Sequence, residues 1–213
     1  MAARNHTRSR SREIGGEAPR APRRYDVVAI GASAGGLSSI KELLKPLPED
    51  FPAAMVIVQH LARQYKSHLT EVVSRVTALR VKDAEHDEVL LPGVVYMARP
   101  DEHLLVGPGK LQLAHTQLVH FLRPSIDLMF ESVAGTYGSR SIAVVLSGTL
   151  HDGAKGLRTI KLAGGTTIAE NPDQAEFKSM PQAAVDTGCV DLILPVGEIG
   201  VTLIQLCCGD VGD

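Results

Sequence analysis

From Asp26 onward, short and almost wholly apolar runs alternate with longer segments whose apolar residues recur at helical spacing. The runs are residues 26–30, 55–59, 141–146, 166–169 and 192–194. A stretch that is apolar at consecutive positions has both faces buried, as parallel strands covered by helices on each side do. Between the runs, Leu37, Ile40, Leu44 and Leu47 mark a helix stopped by Pro46 and Pro48. Leu69, Val72, Val73 and Val76 mark a second; Ile126, Met129, Phe130, Val133 and Tyr137 mark a longer one, with Pro124 near its start. Further helices are expected over 153–163, near 181–187 and after Leu194. Residues 94–98, 104–106 and 111–113 are expected as short strands around the turn Gly107-Pro108-Gly109, forming an antiparallel hairpin. The fold class that follows is α/β: a doubly wound, mainly parallel sheet with an antiparallel hairpin at one edge.

Composition narrows the function. The 213 residues are 44% hydrophobic and 22% charged, enough for a core without a disulfide or metal staple. A net charge of −2 and 4% aromatics argue against nucleic acid as a partner. Cys189, Cys207 and Cys208 are odd in number, with two adjacent, a poor disulfide framework that points to a reducing compartment. With no apolar run near the roughly 20 residues of a membrane span and no signal-peptide pattern, a cytoplasmic protein without stable membrane insertion is expected. Residues 1–24 are rich in Arg among Ser, Gly, Pro and Ala, and are expected to be a disordered basic tail ahead of a domain over 25–213.

In a doubly wound sheet, ligands bind beyond the carboxyl ends of the strands. One run leads into Gly31-Ala32-Ser33-Ala34-Gly35-Gly36, the next into Gln59-His60, and a later one into Ser147-Gly148-Thr149-Leu150-His151-Asp152-Gly153. A hydroxyl, an imidazole and a carboxylate thus come to one edge. That set can deprotonate a serine, receive its proton and hold the imidazole in one tautomer. The first loop fits neither a dinucleotide fingerprint nor a P-loop, and no acidic residue ends the second strand. It does fit the G-x-S-x-G elbow, although the order Ser, His, Asp is not that of ordinary α/β-hydrolases. Singly, a Ser in a glycine-rich turn is a turn residue and an Asp before Gly a helix cap. His151, beside Asp152, is a rival base. His68, His86, His103, His115 and His120 show no metal-ligand spacing, and His103 is expected at the surface.

Residues 25–205 resemble the catalytic domain of CheB-type protein-glutamate methylesterases. The resemblance lies in Ile30-Gly31-Ala32-Ser33-Ala34-Gly35-Gly36, Val58-Gln59-His60, Leu91-Pro92-Gly93, Arg123-Pro124-Ser125-Ile126-Asp127, Ser147-Gly148-Thr149, Asp152-Gly153-Ala154 and Met180-Pro181. It implies Ser33 as nucleophile, His60 as base, Asp152 as the acid orienting it, and the amides of Ala34 and Thr149 as the oxyanion hole. It also implies a methylated receptor protein as partner, glutamate methyl esters as substrate, glutamine deamidation as a second activity, and no cofactor or metal. The alternatives are a hydrolase of another ester and a silent interaction module. Arg63, Lys66, Arg99 and Arg123 stand near the expected cleft, where they could grip an acidic substrate or be ordinary surface. Arg63, Arg99, Arg123 and Met180 are the candidate substrate-binding residues. The 24 residues ahead of the pattern are fewer than the phosphoacceptor domain usual in that family needs, so none is expected in this chain. Leu150 and Ser179 stand where the family has Gly; an ordinary backbone conformation is expected at Leu150.

Overall fold

The structure, a computed structural model, describes residues 25–60, 68–119 and 122–209. The expected tail over 1–24, and Arg63, Lys66 and His120, lie outside the described residues.

In chain order the strands are β1 (Val27–Ala32), β2 (Ala54–Gln59), β3 (Arg80–Asp83), β4 (Val94–Met97), β5 (His103–Gly107), β6 (Lys110–Ala114), β7 (Ser141–Val145), β8 (Thr166–Glu170) and β9 (Leu192–Leu194). The helices are α1 (Gly36–Leu44), α2 (Leu69–Ser74), α3 (Ile126–Tyr137), α4 (Ala154–Leu162), α5 (Ser179–Asp186) and α6 (Val196–Cys208). Seven strands form one sheet in the order β3-β4-β2-β1-β7-β8-β9, each paired parallel to its neighbour.

The apolar runs of the inner strands are buried on both faces because helices cover both, while the edge run 192–194 is half-exposed. Val28, Ile30 and Ala32 of β1 pack in one core with Ile40, Leu43 and Leu44 of α1 and Ile199 and Leu203 of α6. The alternate residues Val27 and Ala29 face a second core with Met129, Phe130 and Val133 of α3 and Leu157 and Ile160 of α4. Each fully buried Val, Leu or Ile contributes on the order of 1.5–3 kcal/mol of transfer free energy, so this two-sided burial makes β1 the spine of the molecule.

Two details differ from expectation. The hairpin forms, but β5 and β6 make their own antiparallel two-stranded sheet beside α3 and not an edge of the main one. Residues 94–97 instead enter the main sheet as β4, parallel to both β2 and β3. The edge strand β3, Arg-Val-Lys-Asp, was not expected. It is half-exposed and lacks the apolar run that marks the central strands.

The loop after β1 enters α1 in one helical layer, while the loop after adjacent β7 enters α4 in the opposite layer. The two loops therefore part, opening a crevice at the strand ends where ligands bind in such sheets.

Candidate active site

Ser33 follows β1 directly, and His60 follows β2 directly. The register pairs Ala32 with Gln59 and the His60 amide donates to the Ala32 carbonyl at 2.9 Å, so the two side chains leave neighbouring strands at the same level. The turn after Ser33 is closed by the Gly36 amide on the Ser33 carbonyl at 3.0 Å, and the Gln59 side-chain amide donates to the same carbonyl at 2.6 Å. In the elbow motif the serine itself occupies the strained position. Here Ser33 is outside the left-handed region and Gly35 takes it, with φ 71, at the head of α1.

His60 Nε2–H donates to Asp152 Oδ2 at 3.0 Å; the two side chains are 10% and 1% exposed. This leaves Nδ1 as the unprotonated nitrogen, buried and without a hydrogen-bond partner. Asp152 is held on every side. Its Oδ2 also accepts from the Ile126 amide at 2.7 Å, and its Oδ1 from the Asp127 amide at 3.0 Å and the Ser125 hydroxyl at 3.1 Å. Burial alone would raise the Asp152 pKa, but the hydrogen bonds from His60, Ile126 and Asp127 outweigh it and hold the carboxyl below its ordinary value. The carboxylate sits at the amino end of α3, where the helix dipole favours a negative charge.

Asp152 lies one residue short of α4, ahead of Gly153, yet caps α3. Conversely Asp127, in the first turn of α3, accepts from the Gly153 amide at 3.0 Å and the Gly156 amide at 2.7 Å and so caps α4. The two helices exchange caps. Burial, and then the nearby Asp152 charge, raise the Asp127 pKa against the amide bonds that lower it.

The loop after β7 runs past Ser33. A Cβ on Gly148 would stand 2.2 Å from Met180 Sδ and 2.8 Å from Ser33 Cβ, so only glycine lets this backbone pass between them. Met180, 1% exposed, therefore supports the loop from inside the core. The loop is further fixed by Ser147: its amide donates to Glu170 Oε2 at 2.7 Å and its hydroxyl to the Ala34 carbonyl at 3.0 Å. Burial raises the Glu170 pKa. The amides of Ala34 and Thr149 make no hydrogen bond to any described residue. Leu150 follows with φ 73, in the left-handed region, which overturns the expectation of an ordinary conformation there. Ser179, by contrast, opens α5 with no positive φ, so a side chain costs nothing at that position.

Among the candidate substrate contacts, Arg123 is already engaged. Its guanidinium donates to Asp101 Oδ1 at 2.7 and 3.0 Å and to the Thr116 carbonyl at 2.6 Å. Arg99 is half-buried and has no partner among the described residues. His151 is exposed and makes no side-chain bond to Asp152.

His103 corrects the expectation of a surface residue: it is fully buried. Its Nε2–H donates to the Gln117 carbonyl at 3.0 Å, and its Nδ1 accepts from the Ser125 amide at 3.2 Å. It thus holds the residue whose hydroxyl reaches Asp152. Strand alternation hid it, since it places His103 with half-exposed Leu105, and not with buried Leu104 and Val106. Glu170 was also missed. Its signal was an acid ending an apolar run on the ligand edge of the sheet.

The chain matches the family model described as CheB methylesterase over residues 28–203. It is 40% identical to the protein-glutamate methylesterase FrzG of Myxococcus xanthus, over 86% of this chain and 55% of that protein. It is also 40% identical to a protein-glutamate methylesterase/protein-glutamine glutaminase of Anaeromyxobacter dehalogenans, over 92% of this chain and 57% of the relative. The chain thus spans little more than half the length of these relatives. Among solved structures, the Thermotoga maritima CheB methylesterase catalytic domain superposes with a TM-score of 0.81 at 35% identity, covering 85% of this chain and 98% of that one.

Proposed function

The chain belongs to the CheB methylesterase family, and on that premise we propose that it hydrolyses glutamate methyl esters on a protein, a chemotaxis-type receptor, in the cytoplasm. The observation that carries this reading is the half-buried His60, whose Nε2–H is tied to Asp152 while its Nδ1 has no partner among the described residues, at the end of the strand next to the one that Ser33 follows. Ser33 Oγ attacks the ester carbonyl carbon as His60 Nδ1 takes its proton. Asp152 keeps the tautomer fixed and stabilises the imidazolium. The oxyanion is received by the Ala34 and Thr149 amides, which spend no hydrogen bond elsewhere among the described residues. Collapse breaks the bond to methoxide, which His60 protonates and releases as methanol. Water, deprotonated by His60, then frees the glutamate carboxylate from Ser33. The same groups can expel ammonia from a glutamine side chain, the second activity in the name of the A. dehalogenans relative.

A methyl-esterified receptor should release methanol with the wild-type protein, and Ser33→Ala should lose about 10⁴-fold in kcat. A fluorophosphonate probe should attach to Ser33. Unchanged turnover in Ser33→Ala would overturn the mechanism. Turnover of a simple ester without methanol release from receptor would move the substrate to another ester, and an unlabelled, inactive Ser33 would make the protein an interaction module.

A further inference from the structure

Leu150 is placed where a leucine is least at home. Its backbone is left-handed, with φ 73, a conformation in which the Cβ crowds the following carbonyl. The residue is 55% exposed, so burial returns little for that strain. Strained residues of this kind persist where a ligand is held. With Leu122 and Ala154, Leu150 walls a cavity of about 410 Å³. Asp127 and Asp152, both buried, line it too, as do the exposed His151 and half-buried Lys155.

On the methylesterase reading above, we infer that this cavity is a specificity subsite taking an aliphatic side chain of the substrate protein next to the esterified glutamate, with Leu150 setting the preference. The position follows from continuity. Leu150 adjoins the Thr149 amide and Asp152 is shared between the cavity and His60, so an occupant lies beside the reacting group. The chemistry follows from the lining. Leu122, Leu150 and Ala154 offer the apolar walls that suit an aliphatic group. An aliphatic group there covers Leu150 only when substrate is bound. On a helical substrate, a residue three or four positions from the ester is near enough to reach it.

The test uses synthetic peptides carrying one glutamate γ-methyl ester, with a leucine moved through positions −4, −3, +3 and +4 in an otherwise alanine background. One position should raise kcat/KM of the wild-type protein about tenfold, within the range a hydrophobic pocket discriminates. Leu150→Gly should erase that gain, bringing the leucine peptide down to the rate of the all-alanine one, while its melting temperature rises by about 2–4 °C as the strain is relieved. Leu122→Ala should weaken the gain too. Peptides cleaved with no leucine preference, or a preference that survives both substitutions, would overturn the subsite and leave the methylesterase reading standing. Hydrolysis of neither peptides nor a simple ester would remove both.

Discussion

His60 is half-buried and His103 fully buried, each donates from Nε2, and they differ in what is left over. His60 keeps one nitrogen without a partner, which lets it move a proton. Both nitrogens of His103 are engaged, which suits it to holding Ser125 in place. His103→Leu leaves the Ser125 amide buried and unpaired, a cost of about 1–3 kcal/mol. A small displacement of Asp152 would then lower kcat about 10–100-fold with KM little changed. His103→Asn, whose Oδ1 can replace Nδ1 as the acceptor, should recover much of that loss. Steady-state kinetics alongside thermal melts check this; full kcat in a folded His103→Leu would show that Asp152 is set without it.

The exchanged caps make α3 and α4 one unit. Asp152 is oriented by the amides of a helix that begins 26 residues before it, and that helix returns a carboxylate to the one Asp152 precedes. The position of the proposed orienting acid therefore depends on how the two helices pack. Asp127 has a raised pKa, so its ionised form is disfavoured in the fold: it costs nothing below the unfolded value and costs progressively more as pH rises through the folded one. Asp127→Asn keeps the acceptor without the charge and should gain stability at pH 7 but not at pH 3. Asp127→Ala loses the cap and should cost about 1–2 kcal/mol at pH 7. Urea titrations at both pH values separate the two effects, and destabilisation by Asn at pH 7 would show that the charge itself is needed.

For the whole molecule, Asp152 carries the opposite sign. Its pKa is lowered in the fold, so the stability it contributes is present above the unfolded value near pH 4 and is lost as pH falls through the folded value. Asp152→Asn should therefore be less stable than wild type at pH 6, and the difference should shrink as pH falls below the unfolded value and through the folded one. A constant difference across that range in denaturant melts would mean that the carboxylate's shape matters and its charge does not. The central strands and the helices of the described residues were legible in the sequence because two-sided burial leaves consecutive apolar residues, and helices leave a period of 3.6. The candidate residues Ser33, His60 and Asp152 were legible from the loops that follow those runs, since parallel strands end at the same edge. These are local patterns, carried by neighbours in the chain. Tertiary packing alone decided that Asp152 caps α3 and not α4, that His103 is buried behind Ser125, that β5 and β6 leave the main sheet, and that Leu150 turns left-handed. Each depends on atoms distant in sequence, where hydrogen-bond partners and loop dihedrals are set by which elements meet, and no periodicity records that.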